Sequence, residues 1–196
     1  MRCNKSRIFM IFIILIYAVG AFAAEQLPAI PPNTPKLKQP ILITPCGQSP
    51  GGVYMKVICR QLKLDADLED SASVETLAKR PYQTLIIITG TSLKGMGSAG
   101  IDIDQEVKRC TNIVNKAKSI GIKVVVAQIE GASRRVDETD EKSIKSMTPL
   151  ADLLITHKEI NGDGYFTKIA EEKKIPQIFI SQQLDLLQIF PLVFAK

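Results

Sequence analysis

From Thr84 to Asp102 the chain reads Thr-Leu-Ile-Ile-Ile-Thr-Gly-Thr-Ser-Leu-Lys-Gly-Met-Gly-Ser-Ala-Gly-Ile-Asp, and this stretch constrains the fold most. The continuous apolar run Leu85–Ile88 predicts a strand buried on both faces, as parallel sheets require. It runs into a segment with four glycines (Gly90, Gly95, Gly97, Gly100), Lys94, and the hydroxyls of Thr91, Ser92 and Ser98. Asp102 and Gln105 then form an Asp-x-x-Gln capping box opening a long amphipathic helix. A glycine-rich crossing from strand to helix is where α/β folds bind ligands, because backbone N–H groups converge there.

The same alternation runs through the chain from Ile41. Strands are expected at Ile41–Thr44, weakly at Leu64–Leu68, and at Thr84–Thr89, Lys123–Gln128, Leu153–Thr156 and Gln177–Ile180. Helices are expected near Gly52–Leu62, Ser73–Ala78, Ile103–Ile120, Asp140–Met147, Tyr165–Lys173 and Gln182–Phe190. Alternating strands and helices mean βαβ units, so the fold class is α/β, a doubly wound parallel sheet of five to six strands. The short acid-rich Leu64–Leu68 strand belongs at an edge, where charge discourages further pairing. This favours the flavodoxin-like order 2-1-3-4-5-6, with the Rossmann order 3-2-1-4-5-6 as the alternative.

The chain start has a different character. Arg2, Lys5 and Arg7 precede the apolar run Ile8–Val19, and Gly20-Ala21-Phe22-Ala23-Ala24 supplies an Ala-x-Ala cleavage site. Residues 1–23 therefore read as a signal peptide, and the mature domain as secreted or extracytoplasmic. An uncleaved anchor is the alternative, although Ile8–Ala24 is short against the roughly 20 residues of a full span. Residues 24–40 carry Pro28, Pro31, Pro32, Pro35 and Pro40 and read as an extended linker to a single domain, 41–196. Losing three basic residues and no acidic one lowers the formal net charge from +5 to +2. With no basic stripe interleaved with aromatics, no nucleic-acid partner is expected. Cys59 and Cys110 fall on apolar helix stripes and read as small core residues.

The expected site is a crevice at the carboxyl edge of the sheet, where the glycine-rich loops after the first and third strands face each other. Cys46, Gly47, Gln48, Ser49 and Gly51 come from the first loop, and Ser92, Lys94, Gly95, Gly97 and Ser98 from the second. Glu130 and Arg134, beside Arg135, follow the fourth strand, and His157, the only histidine, ends the fifth. Glycines, hydroxyls, helix N-termini and cations suit an anion. The expected function is an extracytoplasmic binding domain for a small anionic ligand, which it delivers to a membrane partner protein or reports. The alternative is a small hydrolase or transferase in the same crevice, with Cys46, His157 or Glu130 as chemical groups. A flavodoxin-like electron carrier ranks third. Thr89–Ser92 echoes a flavin phosphate loop, but it follows the wrong strand.

Cys46 sits where low-molecular-weight tyrosine phosphatases carry Cys-x5-Arg, but Gly52 stands in the arginine position. A Walker A sequence, a Gly-x-Ser-x-Gly elbow and a dinucleotide fingerprint after strand 1 are all missing, so no cofactor is expected. The histidine and cysteine count does not support a zinc site, and no metal is expected either. Residues 44–52 (Thr-Pro-Cys-Gly-Gln-Ser-Pro-Gly-Gly), 94–104, 151–155 and 161–167 resemble an uncharacterised family of exported single-domain α/β proteins. That resemblance implies the fold and the compartment, and no activity.

Overall fold

The computed structural model describes residues 28–195, so the expected signal peptide and the start of the linker lie outside the described residues. Six strands form one sheet: β1 (Ile41–Cys46), β2 (Ala66–Leu68), β3 (Thr84–Thr89), β4 (Lys123–Gln128), β5 (Leu153–His157) and β6 (Gln177–Ile180). Their order is 2-1-3-4-5-6 and every pairing is parallel. The flavodoxin-like winding is therefore the observed one, and the Rossmann order is not. Short, acidic β2 is the edge strand, as its composition demands; Arg80 Nη1 and the Tyr82 hydroxyl cover its Asp67 at 2.5 and 2.8 Å.

The central strands β1, β3 and β4 are buried at every position but Lys123 and carry apolar runs, because both faces are covered. On one face Ile43, Ile86, Ile88, Val125, Ile155 and Ile178 pack against α1 (Gly51–Gln61) and α6 (Leu186–Val193). On the other, Leu42, Leu85, Ile87, Val124, Val126 and Leu154 pack against α3 (Ile103–Ser119), with Met147 of α4 (Glu138–Met147) and Ala170 of α5 (Tyr165–Lys173). The Asp102–Gln105 capping box starts α3 as expected, with reciprocal bonds of 2.8 and 2.9 Å.

Three local features differ from the sequence expectation. The glycine-rich stretch after β3 holds a helix, α2 (Leu93–Ala99), capped by the Ser92 side chain and ended by left-handed Gly100. Glycines at 95 and 97 hide it, since glycine is a poor helix former. The stretch near 73–78 is a single turn of 3-10 helix, Glu75–Ala78. The proline-rich segment contributes fully buried Leu37 to the core, where it bridges to Phe194 beside the sheet. Among the described residues no helix is long and apolar enough to cross a membrane.

Candidate ligand-binding cleft

β1 reaches Cys46, and the chain then turns on Gly47 (φ +118°) and Gln48 (φ +58°). A Cβ at Gly47 would lie 2.5 Å from Thr91 Cγ2, so only glycine fits. The Gly47 N–H donates to Glu106 Oε2 at 2.8 Å, and the Gln48 side-chain amide donates to the same oxygen at 3.1 Å. Glu106 comes from the first turn of α3 and is buried against Arg109, which holds both its oxygens at 2.8 and 2.9 Å. Arg109 also donates to Thr44 Oγ1 and to the carbonyls of Pro45 and Ala72. A buried ion pair with all its remaining donors engaged fixes the first loop.

α4 fixes the second loop in the same way. Buried Asp140 accepts the Thr91 N–H at 2.7 Å and the Thr91 hydroxyl at 2.8 Å. Ser143 donates to the Cys46 carbonyl and accepts the Gly90 N–H. The two loops are then joined directly: the Ser92 N–H donates to the Gly47 carbonyl at 2.8 Å, and Gln48 bridges Thr91 antiparallel. These bonds close the seam at Gly47 and Thr91, and the space between the two loops opens only outside it. The N-terminus of α1 is likewise no empty anion cradle, because the Glu130 carboxylate accepts the Gly51 N–H at 3.1 Å. Glu130 is held in turn by Arg134 Nε at 3.3 Å.

The open space lies outside this seam, in a cleft of about 410 Å³. Gln48, Ser49, Pro50 and Val53 line it from the β1 side, and Ser92, Lys94, Gly95 and Ser98 from α2. Asp70, following β2, and Arg134, following β4, complete it. Gly95 is needed where α2 meets the first loop, since a Cβ there would lie 2.7 Å from the Gln48 carbonyl oxygen. Lys94 and Asp70 make no side-chain ion pair or hydrogen bond among the described residues, and Arg134 gives only its Nε to Glu130. The Ser49 hydroxyl is buried with no hydrogen-bond partner.

Several expected site residues lie elsewhere. Cys46 is fully buried on the α3 face of the sheet, in the same cluster as Cys110, because its side chain follows the inward alternation of β1. Gly47 is buried beneath the seam, Gly51 and Glu130 are engaged with each other, and Gly97 is on the open side of α2 with nothing near it. His157 belongs to a second cluster. Its Nδ1 accepts the Glu159 N–H at 3.4 Å, and its ring rests on Gly131. Arg135 parts company with Arg134. It grips Asp163 with two bonds of 3.0 and 2.7 Å and Glu141 at 2.6 Å, and it lies over the Tyr165 and Phe166 rings. The guanidinium of Arg135 holds both carboxyls below the usual carboxylate range. Asp70, Glu106, Arg109, Asp140 and Ser143 were not expected at this edge. Glu106 and Arg109 carried a signal, being spaced i, i+3 beside the apolar stripe of α3, where an ion pair faces inward.

No curated protein matches the chain in sequence. Among solved structures it is similar to the psychrotrophic esterase EstA from Pseudoalteromonas sp., at 10% identity and a TM-score of 0.34, over 79% of this chain and 92% of that one. It is similar to a GDSL-like lipase from Bacteroides thetaiotaomicron at 14% identity and 0.34, over 77% and 71%. A GDP-L-fucose synthetase from Naegleria fowleri is similar at 10% identity and 0.36, over 80% and 52%. A domain of unknown function, DUF6305, matches residues 38–194. Because that match takes in every strand and helix described above, the chain belongs to the DUF6305 family.

Proposed function

We propose that the protein is an extracytoplasmic binding domain for a small ligand carrying an anionic group, held in the cleft beside α2. The supporting observation is the pair of cations there: Lys94 has no protein partner among the described residues, and Arg134 commits only its Nε. Both ends are available for charge-assisted bonds, which are the strong ones. Ser92 and Ser98 line the same cleft and bring hydroxyl donors to it. A volume of about 410 Å³ falls in the range of small-molecule sites. Extracytoplasmic placement rests on the basic, apolar and Ala-x-Ala segments of residues 1–24.

The hydrolase or transferase alternative needs a nucleophile and a base within hydrogen-bond reach. Cys46 is buried, Glu130 caps α1, and His157 faces Glu159, so no observation favours it over binding. A thermal-shift screen of phosphate, succinate and small carboxylates identifies binders, and calorimetry then compares Lys94→Ala with the wild type. The variant should bind about 1–3 kcal/mol more weakly and melt unchanged, because Lys94 is exposed. Equal affinity for every binder would remove the reading.

A further inference from the structure

Asp70 sets this cleft apart from a plain anion site. Asp70 lines the same space as Lys94 and Arg134, and its carboxylate pairs with neither. Its backbone is held in place, since its carbonyl accepts the Gln48 side-chain amide at 2.9 Å and the Thr44 hydroxyl at 3.4 Å. Opposite charges in one cleft that do not neutralise each other leave a positive and a negative subsite side by side. A ligand with only an anionic group would satisfy the cations and meet repulsion from Asp70, which is how an unpaired charge discriminates between ligands. A ligand that also carries an ammonium satisfies all three groups. Pro50 and Val53 add an apolar wall, and Val53 is 53% exposed.

Resting on the reading of this cleft as a ligand site, we infer that its ligand is a small zwitterion of the amino-acid or short-peptide class. The carboxylate lies towards Lys94 and Arg134, the ammonium towards Asp70, and an apolar body against Pro50 and Val53. The dipeptide alanyl-leucine fits these three demands. Two relatives of it each lack one charge: N-acetyl-alanyl-leucine has no ammonium, and alanyl-leucinamide has no carboxylate.

Calorimetry with these three compounds, on the wild type, Asp70→Asn, Asp70→Glu and Lys94→Ala, tests the assignment. Removing either charge from the dipeptide should weaken binding to the wild type by about tenfold or more, the scale of a charge-assisted hydrogen bond. Asp70→Asn should erase the preference for alanyl-leucine over its N-acetyl form, and Asp70→Glu should retain it. Lys94→Ala should weaken both of those compounds alike. Thermal melting should show both Asp70 variants folded, since the side chain is exposed. If N-acetyl-alanyl-leucine binds the wild type as tightly as the dipeptide, the zwitterion inference falls and the anion reading stands. The zwitterion inference falls in the same way if succinate or phosphate binds and the dipeptide does not. If none of these compounds binds, both fall.

Discussion

Gly47 and Gly97 lie in the two glycine-rich segments of the sequence, and the structure gives them opposite meanings. Gly47 has φ +118°, and a Cβ there would meet Thr91 Cγ2 at 2.5 Å and the Gly90 carbonyl at 3.0 Å. Backbone strain and a rigid neighbour act together, so Gly47→Ala should cost about 2–4 kcal/mol. Gly97 lies in α2 with nothing within 4 Å of an added Cβ. Gly97→Ala should therefore stabilise by about 0.5–1 kcal/mol, because alanine loses less backbone entropy in a helix. Urea titration of both variants checks the pair, and a shift of the same sign in both would contradict the contrast. In sequence the two glycines look alike. They differ through the backbone conformation each adopts and through Thr91 and Gly90, which lie far from Gly47 along the chain.

At the scale of the element, the cysteines show what helix periodicity can and cannot say. The apolar stripes of α1 and α3 foretold that Cys59 and Cys110 are core residues, and both are fully buried. Burial pushes the Cys59 thiol up to about 12. The neighbouring Cys46 thiol, together with burial, raises that of Cys110. Thiolate is the reactive form, so both should resist alkylation. Iodoacetamide at about pH 8, near the ordinary thiol pKa, should label none of Cys46, Cys59 and Cys110 in the native protein and all three in urea. Labelling of native Cys46 would return it to the cleft. Its position at the end of β1 was legible, but the face it takes was not. The strand continues through Pro45 to Cys46 instead of ending at Thr44, and that extension turns the side chain inward. α2 was hidden for a related reason: Gly95 is dictated by the approach of Gln48, and not by helix propensity.

Across the whole molecule, the carboxyl edge is tied together by charge, and the acid limb of stability should report it. Arg135 joins the segment after β4 to Asp163 and to Glu141, lowering both carboxyls, and the Thr139 hydroxyl lowers the helix-capping Asp137. A group lowered in the folded state stabilises above its unfolded pKa and loses that contribution as pH falls through the folded value. The ordinary values are 3.8 for Asp137 and Asp163 and 4.5 for Glu141. The urea midpoint should therefore be flat from about pH 7 to about pH 5 and fall below about pH 4. Arg135→Lys should shrink that fall, because an ammonium cannot reproduce the two-bond grip on Asp163. A midpoint that declines steadily from neutral pH downward would implicate other groups. The sequence by itself favoured the observed strand order over the Rossmann alternative, and it determined the edge position of β2, the buried runs and the α3 cap. Each follows from short-range patterns of hydrophobic period and helix-start chemistry. Only the tertiary structure decided which N–H groups remain for a ligand. Glu106 reaches Gly47 across 59 positions and Glu130 reaches Gly51 across 79, filling with the chain's own carboxylates the places where an external anion was expected. A backbone donor is indifferent to the source of its acceptor, so its partner is settled by packing between distant segments and leaves no local trace.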